Sequence, residues 1–401
     1  MQSKVTIVIL FLLFLIYINP LSLRASDHQP DISLHSSAAV LMDAKSGRVL
    51  YGKNADEIMA MASTTKILTC ILALEHGNLS DYVEVSAYAQ SMPKVKLNMR
   101  SGESYRLEDL LYSLMLESHN DTAVAIAEFI GGSVEDFARM MNDKAKEIGC
   151  ENSFFITPSG LDAQLTSGKY HSTTATELAR IMSYCILDSP KKDEFLKITA
   201  TANHQFSNKS GKRNFSVTNR NAFLGMMDGA ISGKTGYTAK AGYCYVGALE
   251  RDDRVYIVAL LASGWPNNRT FKWSDTKKLM AYGLENYHYR DVFILPELQA
   301  INVIDGVTLS GRPYDKAFAD LTIMAEETPG KLLLREDEIV KTTIDLPSVI
   351  NAPVSKGEQV GSVSYYLGDE KIKEYPIMVN TSVESINYRF IFAYILNYFC
   401  L

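Results

Sequence analysis

The chain changes character near residue 289, and that change limits the architectures open to it. Before it, apolar residues recur at helical spacing in several segments. After it, to about residue 384, short β-rich runs follow one another (VFIL, INVI, LLLR, TTIDL, GSVSYYL and YPIMV), punctuated by Gly, Pro, Asp and Asn. That pattern predicts a mixed helix-and-sheet domain over 26–288 and a separate small all-β domain over 289–384. A length of 401 residues suits two to three domains. Apolar residues at 47% and charged residues at 21% are ordinary for a chain that buries a core. The net charge of −6, with no basic block, argues against a dedicated nucleic-acid binder.

Local signals divide the first domain. Residues 38–53 place two apolar runs around Asp43-Ala44-Lys45-Ser46-Gly47, a hairpin signal. Helical patterns run from Ser63 to Glu75, stopped by Gly77, and over 107–116. A third starts at Asp121 and closes at Gly131-Gly132, and a fourth covers Thr173–Cys185. Residues 242–249 and 254–262 read as paired strands joined at Asp252-Asp253, and Asp275–Leu284 as a closing helix.

Both ends of the chain point outside the cytoplasm. Residues 1–25 carry Lys4, an apolar run from Val5 to Ile18 and small residues near Ala25, a secretory signal pattern. Cleavage after Ala25 leaves 401 − 25 = 376 residues. Leu23 is not the small residue expected before such a site, so an uncleaved anchor is the competing reading. At the other end, 385–401 is aromatic and aliphatic. As a helix its last sixteen residues reach about 24 Å, short of a roughly 30 Å hydrocarbon core. Asn387, Tyr394, Asn397 and Tyr398 gather on one side of the wheel, which fits a helix lying in a membrane surface. A helix packed on the protein or on an oligomer partner is the alternative.

Five cysteines are widely spaced without a CxxC pair, and the seven histidines form no HExxH motif. Neither a disulfide framework, a metal site nor a cofactor is expected.

Three short stretches carry chemistry. In Ser63-Thr64-Thr65-Lys66 the spacing i, i+3 puts an amine on the same helix face as a hydroxyl. A serine hydroxyl needs a base to accept its proton, and a lysine serves where burial and a second cation keep it neutral. The free N–H groups of a helix's first turn suit a developing oxyanion. SxxK alone is common, and a solvated helix start competes with it. Ser118-His119-Asn120 falls in the break between two helices, where it is either a cap or a polar group beside the nucleophile. Lys234-Thr235-Gly236 lies just before a strand hairpin. Its lysine and threonine suit a carboxylate, and its glycine admits a substrate backbone. A phosphate-binding loop ending at Gly233-Lys234-Thr235 fails on spacing, because Asp228 stands where glycine is required.

The order SxxK, SxN, KTG, with spacings of 55 and 116 residues, resembles the penicillin-binding proteins and serine β-lactamases. It is most similar to the low-molecular-weight serine-type D-alanyl-D-alanine carboxypeptidases. TPSGLD at 157–162, His171-Ser172-Thr173-Thr174-Ala175, 228–242, Arg269-Thr270-Phe271 and 351–362 extend the resemblance over roughly 36–384. It implies an α/β (α+β) transpeptidase-like domain, an antiparallel sheet flanked by helices, with a small all-β domain after it. It further implies Ser63 as acylated nucleophile, Lys66 as its base and Ser118 as proton relay. Asn120 holds the substrate amide or Lys66. Lys234 and Thr235 bind the terminal carboxylate, Gly236 lies on the same strand edge, and Arg269 assists. The N–H groups of Ser63 and Tyr237 form the oxyanion hole. His119 is expected to point away and His171 to be structural.

The implied substrate is a peptidoglycan stem peptide ending in D-Ala-D-Ala, with β-lactams as covalent inhibitors. The implied place of work is the outer face of the cytoplasmic membrane, reached by export and held by the C-terminal helix. A class A-like β-lactamase is the enzymatic rival. It requires a deacylating Glu, and 157–168 offers only Asp162. A penicillin-binding sensor without turnover is the other rival.

Overall fold

A computed structural model describes residues 30–326 and 330–399. The predicted signal segment and the last two residues of the C-terminal helix lie outside them. The chain divides into two compact units after Glu285.

The first unit is built on a five-stranded antiparallel sheet. Its members are β1 (Ala38–Asp43), β2 (Val49–Lys53), β7 (Ala230–Thr238), β8 (Gly242–Arg251) and β9 (Arg254–Leu261), in the order β2-β1-β9-β8-β7. Two hairpins stand apart from it: β3 (Tyr82–Glu84) with β4 (Ser104–Arg106), and β5 (Asn203–Ser207) with β6 (Asn214–Thr218). The central strands β1 and β9 are buried along their whole length. A strand covered on both faces is apolar at consecutive positions, as AAVLM and VYIVALL are. Val40 and Met42 enter the main core. Leu41 points the other way, against Gly283. The β8–β9 turn uses Asp252 and Asp253 at φ 53° and 61°, the positive pair that a tight two-residue hairpin demands.

Helices fill the core on one side of that sheet. Lys66–His76 (α1) is buried from Lys66 to Leu74, so it is apolar around its circumference. Around it stand α2 (Ala87–Ser91), α3 (Leu107–Leu116), α4 (Asn120–Gly131), α5 (Val134–Glu147), α6 (Ala175–Ser183) and α7 (Lys192–Ala200). Gly77 follows α1 in extended backbone, and the position needs glycine for space: a Cβ there would lie 2.5 Å from Leu107 and 2.8 Å from Ile130. Gly132 closes α4 in the left-handed region at φ 80°. Helix α8 (Phe271–Asn286) covers the opposite face, where Tyr256 Oη donates to the Gly283 carbonyl at 2.9 Å.

The second unit carries β10 (His288–Arg290), β11 (Ile301–Ile304), β12 (Ala317–Ala319), β13 (Leu321–Ile323), β14 (Leu332–Leu334), β15 (Val340–Asp345), β16 (Val349–Asn351), β17 (Gln359–Leu367) and β18 (Glu370–Val379). They form a pair β10-β14, a three-stranded sheet β12-β11-β16 and a four-stranded sheet β13-β18-β17-β15. Val363, Tyr365, Tyr375 and Ile377 centre one of its small cores. Helix α9 (Tyr388–Phe399) follows, capped by Asn387, whose Oδ1 accepts from the N–H groups of Arg389 and Phe390. Among the described residues no helix is long and apolar enough to cross a membrane.

Two local readings need correction. Residues 292–295 (VFIL) form no strand; Phe293 packs its ring on Tyr365 instead, at 5.3 Å. The closing helix starts at Phe271 rather than Asp275. The Lys234-Thr235-Gly236 stretch lies just before the β8–β9 hairpin as expected, inside β7, an edge of the main sheet.

Candidate active site

The turn that carries Ser63 is strained and tightly enclosed. Ala62–Thr65 forms one turn of 3-10 helix leading into α1, and Ala62 sits at φ 49°, a backbone region that a residue with a Cβ rarely adopts. Thr64 and Thr65 tie the turn down by donating to the carbonyls of Met61 and Ala62, at 2.7 and 2.8 Å. On the other side β7 presses against it: a Cβ on Gly236 would lie 2.9 Å from the Ser63 nitrogen. Glycine is therefore required there for closeness, not for dihedral freedom.

Lys66 Nζ lies 2.9 Å from Ser63 Oγ, 2.9 Å from Asn120 Oδ1 and 2.6 Å from the Ser159 carbonyl. The two carbonyl oxygens can only accept. A neutral amine has two N–H bonds and one lone pair, so those oxygens consume both protons and the lone pair is left facing the serine hydroxyl. Complete burial, reinforced by the charge of Lys234, pulls the Lys66 pKa well below the ordinary lysine value; Asp121 acts in the opposite sense. Lys234 is itself buried and pushed down to about 7, while its Nζ donates to the Thr235 carbonyl at 3.0 Å.

The SxN stretch sits where α3 ends and α4 begins. Ser118 is held at φ 69°, and its Oγ has no hydrogen-bond partner among the described residues. Asn120 meets Lys66 through Oδ1, while its Nδ2 donates to the Pro93 carbonyl at 3.2 Å. Of the two roles left open for Asn120, contact with Lys66 is thus present. Next to it, the buried Asp121 carboxylate accepts from the N–H groups of Leu97 and Met99, which pins the 93–99 segment along the cleft.

These groups open on a cleft of about 530 Å³, lined by Ser63, Ser118, Asn120, Thr235, Gly236, Tyr237 and Arg269 among others. Lys66 and Lys234 lie buried behind that lining. His119 and His171 do not line the cleft. His119 Nδ1 is paired with Ser113 Oγ at 2.8 Å. His171 Nδ1 accepts from the Ile156 N–H at 3.0 Å, which fixes the proton on Nε2, and that donates to Thr65 Oγ1 at 2.8 Å. Burial and the Lys66 charge push the His171 pKa down to about 3. No group of His, Cys, Asp and Glu among the described residues is arranged to hold a metal ion.

Several cleft residues carried no recognisable signal of their own. The Ser159 carbonyl, Gly160 and Leu161 come from the 157–162 stretch, which resembles a family segment but meets Lys66 through a backbone carbonyl that no side-chain type marks. Lys94, Glu117, Arg220, Lys272 and Trp273 also line the cleft. Lys272 is nearly buried between the Tyr243 and Trp273 rings, and burial pushes its pKa down to about 8. Arg269 is exposed and precedes the helix on which Lys272 sits.

Comparison with known proteins agrees with this geometry. A family model described as D-alanyl-D-alanine carboxypeptidase matches residues 24–264, and one described as the C-terminal domain of penicillin-binding protein 5 matches 333–385. The D-alanyl-D-alanine carboxypeptidase DacF of Bacillus subtilis is 29% identical over 367 residues, 89% of this chain and 88% of that protein. Penicillin-binding protein 5 from Haemophilus influenzae superposes with a TM-score of 0.67 at 25% identity, covering 89% of this chain and 100% of that one. Penicillin-binding protein D2 from Listeria monocytogenes, in its cefotaxime-bound form, superposes with a TM-score of 0.55 at 28% identity, covering 64% of this chain and 100% of that one. The first unit therefore has the fold of the penicillin-binding DD-peptidases, and the chain belongs to the D-alanyl-D-alanine carboxypeptidase family.

Proposed function

We propose that this protein removes the terminal D-alanine from peptidoglycan stem peptides ending in D-Ala-D-Ala, through an acyl-enzyme on Ser63. The observation that carries the reading is the 2.9 Å contact of buried Lys66 Nζ with Ser63 Oγ, beside two carbonyl oxygens that can take the other N–H groups of the amine. The substrate lies along the free edge of β7 with its carboxylate at Lys234 and Thr235. Ser63 Oγ attacks the penultimate carbonyl carbon while its proton passes to Lys66. The oxyanion meets the N–H groups of Ser63 and Tyr237, which the close approach of Gly236 to the Ser63 nitrogen brings near each other. Ser118, whose Oγ is otherwise unengaged, passes its proton to the departing amine and takes one back from the Lys66 ammonium, so both return to their starting state as D-alanine leaves. Water then cleaves the ester and the proton returns to the serine. Arg269 adds positive charge to the cleft wall. A β-lactam acylates the same hydroxyl.

Ser63→Ala tests the assignment. Release of D-alanine from a diacetylated tripeptide and covalent labelling by fluorescent penicillin are both expected to vanish. Labelling that persists in the variant overturns Ser63 as nucleophile.

The enzyme works outside the cytoplasm, at the outer face of the cytoplasmic membrane, with α9 as its contact. Supporting this, Tyr388, Phe392, Ile395 and Leu396 expose an apolar stripe at helical spacing. On another side of the helix, Tyr394 is hydrogen-bonded to Tyr314. Removal of residues 386–401 is expected to release the protein from membrane vesicles without slowing D-alanine release.

A further inference from the structure

The first unit carries a second groove, away from the catalytic residues. It encloses about 550 Å³ between the tip of the β5–β6 hairpin (208–213) and the loop entering β4. The walls are tied to each other. The Lys209 N–H donates to the Ser104 carbonyl at 2.8 Å. Arg213 donates to Glu103 Oε2 at 2.6 Å and to the Asn98 carbonyl at 3.0 Å. The groove is therefore built by the fold and does not depend on a ligand to form.

Its charge is one-sided. Arg100, Lys209, Lys212 and Arg213 line it, against the single carboxylate of Glu103. Glu103 is spent on Arg213. Lys209 Nζ lies over the Tyr82 ring at 4.7 Å, with no carboxylate opposite. The side chains of Arg100 and Lys212 are exposed, and among the described residues neither forms an ion pair. On a chain of net charge −6, three cations facing one groove without a counter-charge form a local reversal of sign.

We propose that this groove binds an anionic polymer of the cell envelope bearing phosphodiester groups, and so holds the enzyme against the wall while the cleft works. The groove is open at its mouth and its cations are spread over two loops rather than converging on one point, which suits a chain of repeated charges better than a single small anion. Arg100 offers a planar fork and the lysines point charges, the groups that bind phosphate oxygens. A phosphodiester stays charged throughout the working pH range. The proposal rests on the protein acting outside the cytoplasm, and the test reads the groove separately from the catalytic site.

The test titrates the purified full chain with poly(glycerol phosphate) and with polyglutamate of matched charge, at 50 and 200 mM NaCl, and repeats this with the Arg100→Gln/Lys212→Gln double variant. Poly(glycerol phosphate) is expected to bind the unaltered protein at least tenfold more tightly than the variant at low salt. Its affinity is expected to fall with salt, with a log–log slope shallower by about 1.5 in the variant, which lacks two cations. D-alanine release from a soluble tripeptide is expected to be the same in both, so loss of the peptidase reading leaves the groove measurement standing. Equal affinity of the two proteins, or binding of polyglutamate as tight as that of poly(glycerol phosphate), overturns the proposal.

Discussion

Gly160 packs against the carbonyl of Ala62 so closely that a Cβ on the glycine would overlap that oxygen. Both residues hold positive φ, 80° and 49°. The contact joins the 157–162 stretch to the residue before the nucleophile, and it sets the Ser159 carbonyl where Lys66 Nζ reaches it.

Replacing Gly160 by alanine therefore costs more than its dihedral alone. The left-handed backbone costs about 1–2 kcal/mol, and the overlap adds to that. Gly132, at the same φ but with open space around it, pays only the first part. Thermal unfolding is expected to show Gly160→Ala clearly less stable than Gly132→Ala. Penicillin acylation is expected to slow at least tenfold in the former alone, because only Gly160 touches the serine turn.

Asn120→Ala removes one of the two oxygens that orient Lys66. The lone pair is then no longer confined to the serine. Stopped-flow acylation by penicillin is expected to fall by about 10²-fold, the scale of losing an oriented general base. The fold is expected to persist, since Asp121 and not Asn120 secures the Leu97 and Met99 N–H groups. An Asn120→Ala protein that acylates at the normal rate removes this residue from the proton path.

The two buried lysines give the reaction its pH dependence. On the proposed mechanism Lys66 acts neutral and Lys234 charged. Burial and the charge of Lys234 hold Lys66 well below the usual lysine value, and burial pushes Lys234 down to about 7. For the free enzyme kcat/KM is expected to decline on the alkaline side from about pH 7, with both limbs belonging to the interacting pair. Substrate carboxylate beside Lys234 favours its charged form, so the decline of kcat is expected at higher pH. Lys234→Arg is expected to remove the alkaline limb from the kcat/KM profile.

His171 contributes stability in its neutral form. Its folded pKa, about 3, lies below the ordinary histidine value of 6.5. The unfolded chain therefore binds the extra proton between those values, and stability falls as pH drops through that window, by about 1.4 kcal/mol per pH unit. Above pH 6.5 the contribution is complete. Urea denaturation between pH 7 and 4.5 is expected to show a steeper loss for the unaltered protein than for His171→Gln, which has no such proton to take up.

Much of this arrangement is local and so was legible in the chain. The offset of three between Ser63 and Lys66 puts them on one helix face wherever that helix packs. Asp252-Asp253 between two apolar runs makes a hairpin, and Gly131-Gly132 ends a helix, through backbone dihedrals alone. The alternation of apolar runs separated two units without reference to any contact. By contrast, VFIL at 292–295 reads as a strand on composition and is not one, because pairing depends on a partner edge that composition does not describe.

The amino-acid sequence by itself determined which reactive groups exist, their order, and the turns that present them. Only the tertiary structure decided that Lys66, Asn120, the Ser159 carbonyl and Lys234 share one buried volume, although they are up to 168 positions apart (234 − 66). The reason is physical: a lysine becomes a base through desolvation and a neighbouring charge, and both arise from packing between distant segments rather than from the residues on either side of it.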